Sequence, residues 1–399
     1  MCFILLQEEL EHAWWHIVKI KGKFMIYEVS AGDTLYSIAQ RFGVSVEQIR
    51  FDNQLEQQQP LVKGQALLIL AEWLPQQTIP RFEITGYAYP FINKEILEET
   101  LQYINELLVF SYGFTTQGEL IPPKVNDLPL IQRAWENGVR PILVLTPFDE
   151  NDRFNNYLVK LVVQDQQMQD RLIENLLNTV QMQGYAGVDV DFEYILPEDK
   201  QGYGEFVGNL RAAMNAQGYQ VSVALAPKTH AEQKGLLYEG MDYRLLGENA
   251  DYVFLMTYEW GYTYGPPMAV APLNKVQEVV DYAVTEIPQE KIMLGVPNYA
   301  YDWKLPFQAG ISAAELIGNV EAVQRAAYRA EEILFDSTAQ SPHFTYWEGE
   351  EQHEVWFEDV RSIKAKLQLA SDYGLRGVGY WNLMRPFRAN WLLLNNMLV

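Results

Sequence analysis

Residues 187–194 read Gly-Val-Asp-Val-Asp-Phe-Glu-Tyr, three carboxylates alternating with apolar side chains. In a β-strand alternate residues project to one face, so Asp189, Asp191 and Glu193 form an acidic row with neighbours about 7 Å apart. Val188, Val190 and Phe192 form an apolar row on the opposite face. That row suits packing against helices, which turns the acids into a barrel or cleft. The alternative is a half-exposed edge strand with a solvated acidic face. Like charges at this spacing raise one another's pKa values, a cost a fold tolerates mostly where proton chemistry needs it.

The rest of the large segment supplies the setting for such a strand. Eight short β-rich runs recur: 82–89, 107–112, 141–146, 187–194, 220–225, 252–258, 292–297 and 377–382. Helical patterns lie between them, at 166–183, 200–217, 273–286, 358–372 and 388–397. In 166–183, Met168, Leu172, Ile173, Leu176, Leu177 and Val180 share one face. Eight strands alternating with helices predict an α/β fold, a (β/α)8 TIM barrel, over residues 81–399. Residues 309–357 read as an α+β insertion between strands 7 and 8, with a helix near 312–332 and β pieces at 344–347 and 354–357. A doubly wound sheet would use fewer strands and typically a glycine fingerprint.

Composition narrows the chemistry. A formal charge of −22 argues against nucleic acid or an anionic membrane as partner. Cys2 is the single cysteine, so there is no intramolecular disulfide and no thiolate metal site. The five histidines show no metal-ligand spacing, and no cofactor is expected. No run is long enough to span a membrane, and residues 3–6 are too short an apolar core for a signal peptide before Glu8, Glu9 and Glu11. Residues 1–24 are expected to be a dispensable extension. Ten Trp and 24 Tyr suit sugar stacking, though core packing uses them equally well.

In barrels of this kind the chemistry sits where strands run into loops. Here the second strand ends in Tyr112, the fourth in Glu193, the sixth in Tyr258-Glu259-Trp260, and the eighth in Trp381-Asn382. Asn298 and Asp302 follow the seventh. Acids and aromatics around one mouth describe a glycosidase cleft better than a phosphate site. Tyr258 and Trp381 could equally be core residues, and Glu259 and Asp302 loop anchors.

Residues 25–71 form a separate βααβ pattern, joined to the barrel by a linker at 72–80. Residues 26–29 read as a strand, Asp33 or Thr34 caps a helix, and Gly43 ends it. Ser45 and Gln48 suggest a capping box, and 66–70 a closing strand. Tyr27-Glu28-Val29-Ser30-Ala31-Gly32-Asp33-Thr34-Leu35, Asp52-Asn53-Gln54-Leu55 and Leu61-Val62-Lys63-Gly64-Gln65 resemble the LysM family. The resemblance implies binding of N-acetylglucosamine polymers through Gly32, Asp33, Thr34, Leu35, Asn53 and Leu55. Asp33 and Thr34 could instead serve as helix caps alone.

The fourth strand resembles the Asp-x-x-Asp-x-Asp-x-Glu signature of glycoside hydrolase family 18, with Ala186 in place of its first Asp. The Met-x-Tyr at 256–258 and Trp381 extend the likeness. Combined with LysM, it is similar to the cortex-fragment-lytic N-acetylglucosaminidases of endospore formers. That resemblance implies substrate-assisted retaining hydrolysis: Glu193 as the acid, Asp191 orienting the acetamido group, Asp189 supporting it. Tyr258 would bond the acetamido oxygen, and Trp381 would floor the site. Glu259, Tyr112, Asn298 and Asp302 are candidate substrate contacts. The implied partner is peptidoglycan or chitin, met by a monomer laid on the spore coat or cortex surface without a signal peptide. A chitinase and a non-catalytic glycan-binding barrel are the competing expectations.

Overall fold

The structure, a computed structural model, describes residues 23–151 and 153–399. The expected extension therefore lies almost wholly outside the described residues. Phe24 lies inside them: it starts a strand and is fully buried, so ordered packing begins before Met25.

The N-terminal unit runs β1 (Phe24–Glu28), α1 (Leu35–Phe42), α2 (Val46–Asp52) and β2 (Ala66–Leu70). Thr34 caps α1 through a capping box and Gly43 closes it in the left-handed conformation, while Asp33 instead accepts from the Tyr27 hydroxyl and the Ser30 amide. Ser45 caps α2, but Gln48 completes no box; its amide donates to Asp52. β1 and β2 pair antiparallel. Leu67 and Ile69 face α1 and α2, whereas Leu68 and Leu70 join Phe24 in the barrel's own core. The uninterrupted apolar run of β2 is thus a strand buried on both faces.

The barrel strands are β3 (Glu83–Ala88), β4 (Glu106–Phe114), β6 (Arg140–Leu145), β7 (Gly187–Val190), β8 (Gln220–Leu225), β9 (Tyr252–Leu255), β10 (Ile292–Pro297) and β16 (Gly377–Trp381), with a short β5 (Leu120–Ile121) beside β4. All eight pair in parallel and the ring closes between β3 and β4. Helices cover the outside: α3 (Lys94–Thr100), α4 (Leu128–Glu136), α5 (Asn156–Gln164), α6 (Gln166–Gln183), α7 (Lys200–Asn215), α8 (Tyr243–Asn249), α9 (Leu273–Glu286), α11 (Val360–Asp372) and α12 (Arg388–Met397). This is the predicted TIM barrel, each strand lying within or close to its expected run. In β7 Val188 and Val190 are fully buried, and the Phe192 ring stacks on Tyr203 and Phe206 of α7 at 5.7 and 5.8 Å.

The insertion is larger than its sequence pattern suggests. β11 (Ala300–Leu305), β12 (Glu315–Ile317), β13 (Leu334–Asp336), β14 (Ser341–Glu348) and β15 (Glu351–Trp356) form a five-stranded antiparallel sheet, with α10 (Asn319–Arg329) against it. Only two residues separate its first strand from the end of β10, too few to read as a new element.

The linker and the N-terminal unit are fastened to the barrel and the insertion. Ile79 N–H donates to the Met397 carbonyl at 2.8 Å. The Ile333 amide donates to the Lys63 carbonyl at 2.8 Å, and Arg361 donates to Glu28 and to the Gly64 carbonyl at 2.7 and 3.1 Å. Gly64 has φ +79°, and a Cβ there would stand 1.9 Å from the Ile333 carbonyl oxygen. Only glycine allows that approach.

Candidate active site

Regular pairing in β7 stops at Val190, and the chain turns out of the sheet at Tyr194, whose φ is +56°. Asp189 therefore sits inside the barrel, whereas Asp191 and Glu193 lie where the strand becomes loop. A cavity of about 280 Å³ opens at this end, lined by Asp191, Glu193, Tyr258, Glu259, Trp260 and Trp381 among others.

The three acids occupy different environments. Asp189 is fully buried and accepts hydrogen bonds from Tyr87 (2.8 Å) and Ser222 (2.5 Å). Burial pushes its pKa up to about 6, against those two bonds and with a contribution from Glu106 deeper in the barrel. Asp191 is raised well above the ordinary carboxylate value, first by burial and then by the charges of Glu193 and Asp189. Among the described residues nothing hydrogen-bonds its buried Oδ1. Glu193 is raised by burial and then by Glu259. Glu259 is itself raised by burial, opposed by hydroxyls donated from Tyr299 and Tyr301. Asp191, Glu193 and Glu259 thus share one cavity with no cation among the described residues that line it, an arrangement that raises carboxyl pKa values.

Trp381, at the end of β16, forms one wall. Its ring meets Phe110, Tyr87 and Tyr89 edge to face at 5.0, 5.4 and 6.4 Å. Tyr258 lines the same cavity, its hydroxyl held protonated by burial and by the charges of Asp191 and Glu193.

Three expected contacts lie elsewhere. β4 loses regular register between Val109 and Tyr112, so Phe110 enters the cavity while the Tyr112 hydroxyl donates to Asp127 at 2.7 Å. An irregularity of this kind re-aims the side chains that follow it. Asp302 belongs to the insertion sheet, buried against Arg325 (2.6 Å), His353 (2.7 Å) and Tyr346 (2.7 Å). Asn298 is 1% exposed and bonds to backbone after β16. In the N-terminal unit, the Asn53 side chain is spent on the Ile49 and Leu68 backbones, while Gly32 is open and Leu35 is core.

Sequence reasoning misses Tyr87 and Ser222. Ser222 alone carried a signal, as the lone polar residue inside an apolar strand. At Ala186, where an outermost acid was missing, the amide simply pairs with Pro141. The deeper carboxylate comes instead from β4, as Glu106, which bonds Tyr252 and Arg140 at 2.7 Å each.

Fold and site together define a carbohydrate-cleaving barrel whose acids come from one strand. Residues 150–385 match the profile of Glycosyl hydrolases family 18, and residues 27–69 match the LysM domain. The chain is 36% identical to the Cortical fragment-lytic enzyme of Bacillus subtilis, across 93% of this chain and 97% of that one. The crystal structure of the Bacillus cereus spore cortex-lytic enzyme SleL superposes with a TM-score of 0.89 at 32% identity, covering 94% of this chain and 99% of that one. SleL of Bacillus megaterium gives 0.76 at 36% identity, covering 94% and 87%. The chain belongs to glycosyl hydrolases family 18 and carries a LysM domain. It is a glycoside hydrolase, and its ligand is a glycan.

Proposed function

We propose that the enzyme cleaves N-acetylglucosaminyl β-1,4 bonds in peptidoglycan of the spore cortex, by substrate-assisted catalysis with retention. The observation that carries the reading is Asp191, whose Oδ1 is buried without a hydrogen-bond partner among the described residues and which lines a cavity together with Glu193, Tyr258 and Trp381. A buried acceptor without a donor costs stability. The N–H of a 2-acetamido group entering the cavity gives the Asp191 carboxylate a hydrogen-bond donor.

Glu193, protonated, gives its proton to the glycosidic oxygen. The acetamido carbonyl oxygen attacks the anomeric carbon as the leaving sugar departs, giving an oxazolinium ion, a departure from the two-carboxylate scheme. Asp191 holds the acetamido N–H and balances the ring's positive charge, and Tyr258 donates to the acetamido oxygen. Water then adds at the anomeric carbon, Glu193 taking its proton. Asp189 keeps Asp191 in place through its own ties to Tyr87 and Ser222. Trp381 supports the reacting sugar, and Glu259 meets its hydroxyls.

The cortex assignment rests on the cortex-lytic relatives, and extends to deposition of a monomer at the spore surface. The chitin alternative shares every step above. Digestion of purified cortex peptidoglycan and of chitin oligomers side by side, with products read by mass spectrometry, tests it: cortex muropeptides without chitobiose is the expected result. The reverse would reassign the substrate. Binding to both polymers with hydrolysis of neither would make the barrel a lectin.

A further inference from the structure

We propose that Asn298 is a positioning residue that holds Trp381 against the reacting sugar. The inference rests on the reading above that Trp381 carries that sugar. Asn298 follows β10 directly, and its backbone N–H donates to the Trp381 carbonyl at 2.9 Å. Its side-chain amide donates to the carbonyls of Asn382 (3.0 Å) and Arg385 (2.9 Å), so both amide protons are spent on the turn that follows Trp381. The amide oxygen faces Asn319 at the start of α10, at 3.5 Å. Asn319 is in turn fixed by the Glu358 amide at 2.9 Å.

Asn298 thus ties the active-site wall to the frame of the insertion without lining the cavity itself. The Trp381 ring meets its neighbours edge to face and makes no hydrogen bond to the described residues, so its placement follows the backbone on which it stands. Removing the two amide donors frees the 382–385 turn and lets the ring shift. A misplacement of about 1 Å is enough to disturb a site of this kind.

The test uses binding, which needs no turnover. The parent is the full chain carrying Glu193→Gln, and the probe is whichever of an N-acetylglucosamine tetramer and a cortex tetrasaccharide the wild type hydrolyses faster. Calorimetry compares the parent with Asn298→Asp, with Trp381→Ala and with both. Asn298→Asp is expected to weaken binding about 5–20-fold, yet to add less than about 2-fold on top of Trp381→Ala, because the two act through one platform. If Asn298→Asp does not fold, Asn298→His, which keeps one N–H, takes its place with an expected loss of about 2–5-fold. Full additivity of the two changes, or parental affinity in the Asn298 variant, overturns the proposal and leaves the glycosidase reading standing. A wild type that hydrolyses neither oligosaccharide overturns both.

Discussion

Among the buried carboxylates of the described residues, Asp302 and Asp191 sit in opposite surroundings. In the insertion, Asp302 is surrounded by donors: Arg325 and Tyr346 on one oxygen and His353 on the other. At the barrel mouth no cation lies among the described residues that line the cavity with Asp191 and Glu193; burial raises both pKa values, helped by Glu193 and Asp189 at Asp191 and by Glu259 at Glu193. A carboxylate with donors on both oxygens is a strut, because its oxygens are committed to those partners. One whose charge is uncompensated can give and take a proton. Asp302 and Asp191 are both buried aspartates. The counter-ion makes the difference.

The largest effect expected from this contrast is that of Glu193→Gln. Hydrolysis should fall by about 10²–10⁴-fold or more while polymer binding persists. Turnover within a few-fold of wild type would show that the acid is elsewhere. Asp302→Asn should do the converse. Breaking a buried, multiply bonded pair costs about 3–5 kcal/mol, read as a lower denaturation midpoint, with kcat/KM per folded molecule nearly unchanged. A large loss of activity at unchanged stability would move Asp302 into the site.

Asp189 tests the cost of an uncompensated charge. Its folded-state pKa of about 6 lies above the unfolded value, so between about pH 4 and 6 the folded state holds more protons than the unfolded one. Stability therefore falls as pH rises through that window and stays lowered above it, by about 3 kcal/mol at most. Asp189→Asn should lose less thermal stability than wild type between pH 4.5 and 7. Parallel losses would mean that Asp189 carries no such penalty. The smallest effect is that of Glu259→Gln. Removing that charge lowers the pKa of Glu193, so the alkaline limb of the kcat/KM profile should move to lower pH. A limb that stays put, or moves the other way, would separate Glu259 from the acid.

The same contrast explains what could be read from the sequence. All eight barrel strands were legible because parallel strands buried on both faces appear as apolar runs. The acidic row on β7 was legible because a period of two is visible within eight residues. Compensation was not, since the partners of Asp302 lie 23, 44 and 51 positions away. Proximity to a strand end likewise said nothing of direction: an irregularity in β4 sends Phe110 inward and turns Tyr112 to Asp127. Ser222 could have been suspected from its apolar surroundings, whereas Tyr87, at 102 residues from Asp189, could not.

The seam beneath the LysM domain has a consequence for how the enzyme works along a polymer. Leu68 and Leu70 belong to the barrel core, and Gly64 lies against Ile333. The domain is therefore no swinging tether, and its local concentration at a second site on the same glycan is set by shape instead of by linker length. A polymer whose spacing matches the fixed offset gains avidity, while one too short to span it gains none. Adding residues to the 72–80 segment should not widen the range of chains served, because the docked surfaces, not the segment, set the span.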